Sequence, residues 1–372
     1  MFLNIKLFSF FSGLGLLDLG FEKAGFEIVE IFEKKKEFLG MYKYSREKLG
    51  YSLPKYGCSL IDVENLLNDK NFELKVNTEK KMGLVGFIGG PPCPDFSIAG
   101  KNKGAEGDNG RLSTIYFELI KKYKPDFFLF ENVKGIWKTK KNRVYIEQKM
   151  NEMSLSGYEV AFDILNSLDF GVPQDRERFL MFGLNQASIH LGKNKKNPDI
   201  FGLLNSTVNN KNSYEWPVTD EFKELQVIEK PEKINEMLTV EYWFKKNDVY
   251  NHPNAKDFFK PKSILKFETI KEGDISKKSF KRIHRWRYSP TAAYGNNEVH
   301  LHPYLTRRLS VAEALAIQSA PKNFELPINF TLTDKFKAVG NAVPFLMAEG
   351  IAEEIKKTLG EDENEILRKN KS

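Results

Sequence analysis

The sequence predicts an α/β protein with a doubly wound, mainly parallel sheet and a second, smaller domain. Three observations predict this class. Short apolar runs alternate with segments of helical periodicity through the first half of the chain. A glycine-rich or acidic turn directly follows each of these runs, as at the strand ends of such sheets. The length of 372 residues is sufficient for one large domain and a smaller one.

Four apolar runs are the predicted buried strands. They are residues 5–10, 28–32, 84–88 and 126–130. The first leads into a glycine turn and then into a segment with helical spacing that stops at Gly25. The second ends at Glu33, the third at two glycines and two prolines, and the fourth at Glu131. Ligands bind beyond the carboxyl ends of parallel strands, so these turns are the predicted site.

The regular pattern weakens from about residue 185 and returns near the C-terminus. We therefore predict a first domain of residues 1–184, completed by residues 330–372, and a second domain with its hinge in residues 185–329. Residues 277–287 hold six cationic side chains and no acid, which is typical of a surface that contacts phosphates. The polar stretch from residue 64 to 82 is interpreted as a surface insertion.

Composition excludes several classes of protein. The charge of +7, from 57 basic and 50 acidic residues, is compatible with an anionic partner. Two cysteines, Cys58 and Cys93, do not make a disulfide framework and indicate a reducing compartment. No run of eighteen apolar residues occurs, so we predict no membrane span. The N-terminus is interpreted as a strand, because it lacks a signal-peptide cleavage site.

The first glycine turn predicts a cofactor site. Phe11, Gly13 and Gly15 follow the first strand, and Glu33 lies at the end of the second, where an acid can bind ribose hydroxyls. A dinucleotide fingerprint has a third glycine at the position of Asp18, and an acid there repels a pyrophosphate. A nucleoside cofactor without phosphates, such as S-adenosylmethionine, therefore fits better than a nicotinamide dinucleotide.

The candidate nucleophile is Cys93. Two glycines and two prolines position this thiol at the mouth of the sheet, directly after a buried strand. The alternative is a small buried core side chain, which is the interpretation that we give to Cys58. A polar loop rich in glycine follows Cys93 and is a candidate lid with phosphate contacts.

A carboxyl group and two arginines complete the predicted site. Glu131 ends an apolar strand, where a raised pKa lets a carboxyl group stay protonated and act as a donor. Gln174, Arg176 and Arg178 alternate along the chain, so they point to one face of a strand and can bind an anion or a carbonyl oxygen. The alternatives are a solvated acid and a salt-bridged edge strand.

Six motifs in order resemble those of the DNA (cytosine-5) methyltransferases, particularly the bacterial restriction–modification type. They are FSGLG, GGPPCP, ENV, QDRER, RRLSVAEALAIQSAP and KAVGNAVP, and they cover most of the chain. The resemblance implies an S-adenosylmethionine-dependent methyltransferase with a Rossmann-like fold. It assigns residues 1–184 and 330–372 to the catalytic and cofactor-binding domain, and residues 185–329 to target recognition.

The resemblance also implies a mechanism and a set of residues. The target cytosine is flipped out of the duplex, Cys93 attacks carbon 6, Glu131 donates to N3 and carbon 5 is methylated. Arg178 contacts the cytosine O2, Arg176 supports Cys93 and the flipped nucleotide, and Asn132 orients the surroundings of Glu131. The implied cofactor-binding residues are Phe11, Gly13, Gly15, Leu16, Glu33, Pro91, Leu112, Asn341 and Val343. The predicted DNA contacts are Ser97, Lys101, Lys281, Arg282, Arg285 and Arg287.

The sequence departs from the family pattern at three places. Pro94 follows the nucleophile where glutamine is more common, and Lys34 follows Glu33 where an apolar residue is usual. The motif that contacts the adenine allows two registers, one at Ser59-Leu60 and the other at Asp62-Val63. We predict no metal site, because His284, His300 and His302 lack a complementary set of ligands.

Three other functions remain as alternatives. The first is methylation of structured RNA on the same fold, which competition between duplex DNA and transfer RNA distinguishes. The second is a non-enzymatic DNA-binding relative, and the third is a nucleotide-dependent oxidoreductase. The leading interpretation is a cytoplasmic, nucleoid-associated bacterial monomer that acts on double-stranded DNA, with a restriction endonuclease for the same site as a possible partner.

Overall fold

The main sheet has seven strands, and five of them are parallel. The computed structural model describes residues 4–92, 108–188, 211–261, 263–277, 279–292, 294 and 298–360. The strands are β1 (Ile5–Phe10), β2 (Glu27–Glu33), β3 (Cys58–Leu60), β4 (Leu84–Gly89), β5 (Phe127–Val133), β6 (Tyr158–Asn166), β7 (Gln174–Asp175), β8 (Glu177–Asn185) and β9 (Ser289–Pro290). The order in the main sheet is β3-β2-β1-β4-β5-β8-β6, and β7 pairs with β9 separately.

The topology confirms the predicted doubly wound sheet and locates its crevice. Strands β3, β2, β1, β4 and β5 are mutually parallel, whereas β8 runs antiparallel to both β5 and β6. The chain leaves β1 towards β2 on one side and returns to β4 on the other side. The carboxyl ends of β1 and β4 therefore flank the crevice where such sheets bind ligands.

Helices cover both faces of the sheet. The helices are α1 (Leu16–Lys23), α2 (Lys36–Lys48), α3 (Lys70–Lys80), α4 (Asp108–Tyr123), α5 (Gly135–Lys138), α6 (Lys140–Leu155), α7 (Val240–Lys246), α8 (Leu265–Glu268), α9 (Val311–Ile317), α10 (Leu332–Asn341) and α11 (Phe345–Leu359). One apolar cluster holds α1 and α11 against the sheet, and the other holds α3, α4 and α6.

The two chain ends meet in the first of these layers. A Cβ atom on Gly20 of α1 would lie 2.5 Å from the Cβ of Ala348 in α11, so the helices touch where only glycine fits. Val343 and Met347 are buried in the same apolar cluster as Leu17 of α1. The C-terminal motif is therefore positioned against the first turn of the sheet.

The stretch from residue 64 to 82 is part of the core, and its interpretation as a surface insertion was wrong. It forms a 3-10 turn (Val63–Asn68) and then α3, which returns the chain from β3 to β4. The ring of Phe72 is 1% exposed and lies edge-on to Phe8 at 5.3 Å. The helix is polar in composition, but its few large apolar side chains face inward. These few side chains are enough to pack the helix into the core.

The second half of the chain has few regular elements but shares a core with the first half. A third apolar cluster joins Leu16 of α1 and Met41 of α2 to Trp243 of α7 and Leu315 of α9. Helix α9 begins with a complete capping box, in which Ser310 and Glu313 bond each other's backbone N–H groups. Within the described residues, no helix has both the length and the apolar character that crossing a membrane requires.

Candidate active site

The glycine turn after β1 and the end of β2 form one wall of the crevice. Phe11, Gly13 and Gly15 all have positive φ angles, of 58°, 54° and 80°. Among the described residues other than its two chain neighbours, only the carbonyl oxygen of Phe11 would lie within 4 Å of a Cβ atom added to Gly13. Glu33 is 8% exposed and accepts hydrogen bonds from the N–H groups of Gly13 (3.0 Å) and Lys35 (2.8 Å).

Asp18 is buried beneath the turn and does not face a ligand. It is fully buried, and its Oδ1 accepts a hydrogen bond from Ser9 Oγ at 2.6 Å. Burial raises the pKa of Asp18 to about 7, although the bond from Ser9 opposes the shift. Leu16, the first residue of α1, is 1% exposed, and its side chain packs in the third apolar cluster. Any ligand contact of Leu16 must therefore use its backbone.

The structure separates the two registers of the adenine motif. Ser59 lies within β3 and donates to the buried carboxylate of Glu30 at 2.9 Å. Asp62 follows the end of β3, where Leu60 pairs with Glu33 of β2. Its Oδ2 accepts a hydrogen bond from Lys34 Nζ at 2.7 Å. Asp62 is therefore the acid that stands beside Glu33 at the carboxyl edge of the sheet.

The chain leading to the candidate nucleophile is fixed by the strand beside it. Cys93 itself, and the predicted DNA contacts Ser97 and Lys101, lie outside the described residues. Pro91 is buried, and its carbonyl oxygen accepts a hydrogen bond from Asn132 Nδ2 at 3.4 Å. A Cβ atom on Gly90 would lie 2.6 Å from Glu131 Oε2. The loop that precedes Cys93 thus runs directly against Glu131.

Glu131 and Arg178 form a buried ion pair. Arg178 Nε lies 2.9 Å from Glu131 Oε1, and the two residues are 8% and 6% exposed. They are adjacent because β5 and β8 are antiparallel, with Val133 opposite Arg178. Burial raises the pKa of Glu131 above the ordinary value, while the positive charges of Arg178 and Arg176 oppose the increase. The site can therefore supply a proton donor held beside a guanidinium group.

Arg176 reaches a different set of groups from Arg178. It is 1% exposed, and its guanidinium donates to the carbonyl oxygens of Ala292 (3.1 Å), Gly340 (2.8 Å) and Ala342 (2.9 Å). Gln174 Oε1 lies 3.4 Å from the same guanidinium. The alternation in QDRER does place these side chains inside the protein, but Arg176 contacts backbone segments that lie far away in the sequence.

Gln318 is a residue that the sequence analysis missed. It follows α9, is fully buried, and its Oε1 accepts a hydrogen bond from Gln174 Nε2 at 3.1 Å. It also donates to the carbonyl oxygen of Val339 at 2.6 Å. A polar residue directly after an apolar helix was the available signal, because buried amides must be paired.

The remaining predicted cofactor residues lie on other elements. Leu112 lies in α4 and packs against the second apolar cluster. Asn341 is the last residue of α10 and is exposed, whereas Val343, in the turn that follows, is 6% exposed. No single element supplies this set, since the turns after β1, β2 and α10 all contribute.

The structure corrects two of the predicted DNA contacts. Arg282 is fully buried and donates to the carbonyl oxygens of Ile270 and Phe267, among others. Arg285 is 6% exposed and forms a pair of hydrogen bonds with Glu272, at 2.9 and 2.8 Å. Neither guanidinium is available to a phosphate, because local carbonyl and carboxylate groups occupy it. Lys281 and Arg287 are half-buried and stay predictions.

The three histidines lie in the interior and have structural partners. His284 Nε2 lies 2.8 Å from Asp220 Oδ2, and His302 Nε2 lies 3.4 Å from Glu313 Oε1. His300 is 2% exposed, and burial lowers its pKa to about 3. These surroundings favour the structural role over DNA contact.

The doubly wound sheet, with a glycine turn after its first strand and a buried acid–guanidinium pair, is typical of Rossmann-like transferases. A family model described as C-5 cytosine-specific DNA methylase matches residues 5–357. The chain therefore belongs to the C-5 cytosine-specific DNA methylase family. It is a DNA (cytosine-5) methyltransferase, and its methyl donor is S-adenosylmethionine.

Two relatives agree with this family. Type II methyltransferase M.NmeDI of Neisseria meningitidis serogroup C is 51% identical over 359 residues, which are 95% of this chain and 84% of that protein. Type II methyltransferase M.FnuDI of Fusobacterium nucleatum is 30% identical over 389 residues, 96% of each chain.

Two solved structures show the same fold at low identity. The methyltransferase EhMeth of Entamoeba histolytica has a TM-score of 0.60 at 14% identity and covers 96% of this chain and 99% of its own. The Dnmt2 methyltransferase of S. pombe has a TM-score of 0.58 at 13% identity, with 95% and 98% covered.

Proposed function

We propose that this enzyme methylates carbon 5 of one cytosine within a specific sequence of double-stranded DNA, by base flipping and a covalent adduct between Cys93 and carbon 6. The observation that carries the proposal is the buried Glu131–Arg178 pair, 2.9 Å apart, against the loop that leads to Cys93. A cytosine ring needs a proton donor at N3 and a positive group at the neighbouring O2, and this pair supplies both.

The residues of the crevice fit S-adenosylmethionine. Gly13 has a positive φ and few close neighbours among the described residues, and Glu33, which accepts a hydrogen bond from its N–H, would hold the ribose hydroxyls of the cofactor. Asp62 is the acid placed to accept from the adenine amino group, and Phe11, Leu112, Asn341 and Val343 supply the surrounding surface. Pro91, Gly15 and Leu16 contribute through the backbone. When bound, the cofactor supplies an electrophilic methyl group.

The side chains of this enzyme carry the remaining chemistry. Cys93, as the thiolate, adds to carbon 6 of the flipped cytosine, and the electrons of the carbon 5–carbon 6 double bond move towards carbon 5. Glu131 donates its proton to N3, so that the ring does not accumulate negative charge. After carbon 5 is methylated, a base removes the carbon 5 proton. The electrons left behind restore the double bond and expel the Cys93 thiolate, and N3 returns its proton to the Glu131 carboxylate.

Arg178 and Asn132 position the reacting groups. Arg178 donates from its guanidinium to the cytosine O2 and holds the carboxyl group of Glu131 in place. Asn132 acts through the carbonyl oxygen of Pro91, which it holds two residues before Cys93. The contacts of Arg176 give it a supporting role at longer range rather than a direct contact with the base.

Residues 185–329 supply target recognition, and Ser97, Lys101, Lys281 and Arg287 contact the DNA. The curated relatives named above are type II methyltransferases. We infer that the enzyme likewise protects the DNA of its host in the bacterial nucleoid, with a restriction endonuclease that cleaves the same unmethylated sequence as its counterpart.

The test is transfer of a labelled methyl group from S-adenosylmethionine to plasmid DNA, followed by hydrolysis and separation of the bases. We expect label in 5-methylcytosine with the wild-type enzyme and none with Cys93→Ser. Cys58→Ser is the matched control and should retain activity, because Cys58 lies in β3 and burial raises the pKa of its thiol to about 11.

The competing substrate is tested in the same reaction. Transfer RNA added in equal mass should acquire no label and should leave DNA methylation unchanged. Label on transfer RNA but not on DNA, or label on DNA that persists in Cys93→Ser, would contradict the proposal.

A further inference from the structure

A buried polar network clamps the turn between α10 and α11. Arg176 donates to the carbonyl oxygens of Gly340 and Ala342, on either side of Asn341. Gln318 donates from its side chain to the carbonyl oxygen of Val339 at 2.6 Å. The backbone carbonyl oxygen of Gln318 also accepts a hydrogen bond from the N–H of Phe345 at 3.0 Å. The turn that presents Asn341 and Val343 is therefore held on both sides of its exposed residue.

The same network holds a segment of the second half of the chain. Gln174 Oε1 accepts a hydrogen bond from the N–H of Ala292 at 2.9 Å, and Arg176 donates to the carbonyl oxygen of Ala292 at 3.1 Å. Both polar backbone atoms of Ala292 are thus bound by two side chains of the QDRER segment. Gly340 packs closely against the same segment, since a Cβ atom there would lie 3.0 Å from the N atom of Tyr294.

Gln174 connects the two halves of the network. Its amide nitrogen lies 3.1 Å from Gln318 Oε1, while its amide oxygen holds Ala292. Gln174, Arg176 and Gln318 are 0%, 1% and 0% exposed. Water cannot replace a hydrogen bond that is lost at this depth, so a displacement of one segment leaves buried carbonyl oxygens unpaired on the other. The two segments therefore move together or not at all.

The network also ends next to the reacting groups. Arg178 follows Arg176 by two residues, and its guanidinium pairs with Glu131. The short stretch from Gln174 to Arg178 therefore contacts three parts of the protein. These are the turn that contains Asn341, Ala292 in the second half of the chain, and the carboxyl group of Glu131. The side-chain hydrogen bonds of Gln174 and Gln318 go to each other, to Arg176 and to backbone atoms of Ala292, Ile317, Val339 and Ala342.

We propose that Gln174, Arg176 and Gln318 are positioning residues that couple the cofactor-lining turn at residues 340–343 to the recognition segment at Ala292, so that bound cofactor and bound DNA strengthen each other's binding. The inference rests on the proposed cofactor role of Asn341 and Val343. Linkage requires the effect to be reciprocal, because both ligands favour the same arrangement of one network.

The experiment measures the affinity of S-adenosylhomocysteine by calorimetry, alone and with saturating plasmid DNA that the enzyme methylates. With the wild type, DNA should tighten S-adenosylhomocysteine binding about tenfold. Gln318→Met, which keeps the side-chain length but removes its hydrogen bonds, should weaken binding without DNA and abolish the gain from DNA. Gln174→Met should leave binding without DNA within about twofold and still abolish the gain, because Gln318 continues to hold the turn.

Two further variants separate the explanations. Asn254→Leu is the matched control, because Asn254 is a fully buried amide whose side chain bonds both polar backbone atoms of Leu326 and the carboxylate of Asp257 rather than Gln174, Arg176 or Gln318. It should lower the melting temperature but keep the gain from DNA. Asn341→Ala tests the cofactor role alone, and unchanged affinity for S-adenosylhomocysteine in it would refute that role.

Several results would overturn the coupling while leaving the proposed reaction intact. These are a wild-type affinity that DNA does not change, a full gain in both Gln174→Met and Gln318→Met, or an equal loss of the gain in Asn254→Leu. If Gln318→Met does not fold, Gln174→Met decides alone, since its predicted effect is confined to the coupling.

Discussion

Arg178 and Glu131 bond at 2.9 Å across the antiparallel strands β5 and β8. In this arrangement two opposing effects act on the pKa of the Glu131 carboxyl group. Burial favours the protonated form of Glu131, and the guanidinium group favours the ionised form. The carboxyl group can therefore hold a proton for the base and release it without leaving an unpaired buried charge.

The pair predicts how activity depends on pH. Glu131 must be protonated to donate, so activity falls as the pH rises through its pKa. Arg178→Ala removes the charge that lowers this pKa, and the alkaline limb of the kcat/KM profile should move to higher pH. Arg178→Lys retains a positive charge and should move the limb less.

The measurement is kcat/KM for plasmid methylation between about pH 6 and pH 10. Both variants should also be slower than the wild type, because the cytosine O2 loses its guanidinium donor. An alkaline limb at the same pH in wild type and Arg178→Ala would contradict the role assigned to the pair.

Because Phe72 is buried and Leu74 is exposed, substitutions at these two positions of α3 should differ strongly in their effect on the free energy of unfolding. Its ring is 1% exposed and contacts other aromatic rings, such as Phe32 at 5.2 Å and Tyr123 at 4.9 Å. Phe72→Ala should lower the free energy of unfolding by about 3–5 kcal/mol, from lost burial and the cavity left behind. Leu74→Ala, at a side chain that is 65% exposed in the same helix, should change it by less than about 0.5 kcal/mol.

Chemical denaturation of the two variants provides the comparison. Similar small effects would mean that α3 is a surface insertion after all, and similar large effects would mean that the whole helix is marginally stable.

Asp18 predicts a pH-dependent stability. Burial raises its pKa to about 7 in the folded protein, from 3.8, so the folded state binds the proton more tightly than the unfolded chain. The stabilisation of the folded state by this bound proton is fully present below about pH 4 and is lost as the pH rises to about 7. Asp18→Asn removes this dependence and should stabilise the protein at pH 8 by at most about 4 kcal/mol.

Thermal unfolding of both proteins between about pH 5 and pH 8 measures the difference. The gap between the two melting temperatures should widen as the pH rises. The exposed Glu73→Gln controls for the loss of one negative charge and should show no such widening. A constant gap for Asp18→Asn would show that the carboxyl group is already ionised throughout this range.

Lys281 and Arg282 are neighbours that should behave differently. Lys281→Ala should flatten the dependence of log affinity for DNA on log salt by about one, as expected for one phosphate contact. Arg282→Ala should leave the slope unchanged and lower the free energy of unfolding by about 2–4 kcal/mol, because it leaves several buried carbonyl oxygens unpaired.

Fluorescence anisotropy with labelled duplex DNA over a series of salt concentrations gives the slopes. An unchanged slope for Lys281→Ala would remove this side chain from the DNA interface. A slope that changes equally in both variants would mean that Arg282 leaves its buried site when DNA binds.

Elements with a strong local signal were predicted well. The first apolar run coincides with β1, and Glu33 ends β2 as expected, whereas β5 continues two residues beyond Glu131, to Val133. Helix α3 was missed, because its burial depends on Phe72 meeting aromatic rings from other strands rather than on its own composition. The adenine register was left open for the same reason, since only the pairing of β3 with β2 places Asp62 beside Glu33.

The sequence by itself determined the sheet, the order of its motifs and the types of reactive side chain, since these follow from local periodicity and from residue chemistry. The tertiary structure alone decided which charged groups are available for function. Arg178 pairs with an acid at the crevice, Arg176 holds backbone segments from both halves, and Arg282 satisfies buried carbonyl oxygens. A guanidinium group acquires its role from the acceptors around it, and those acceptors come from residues far away in the chain.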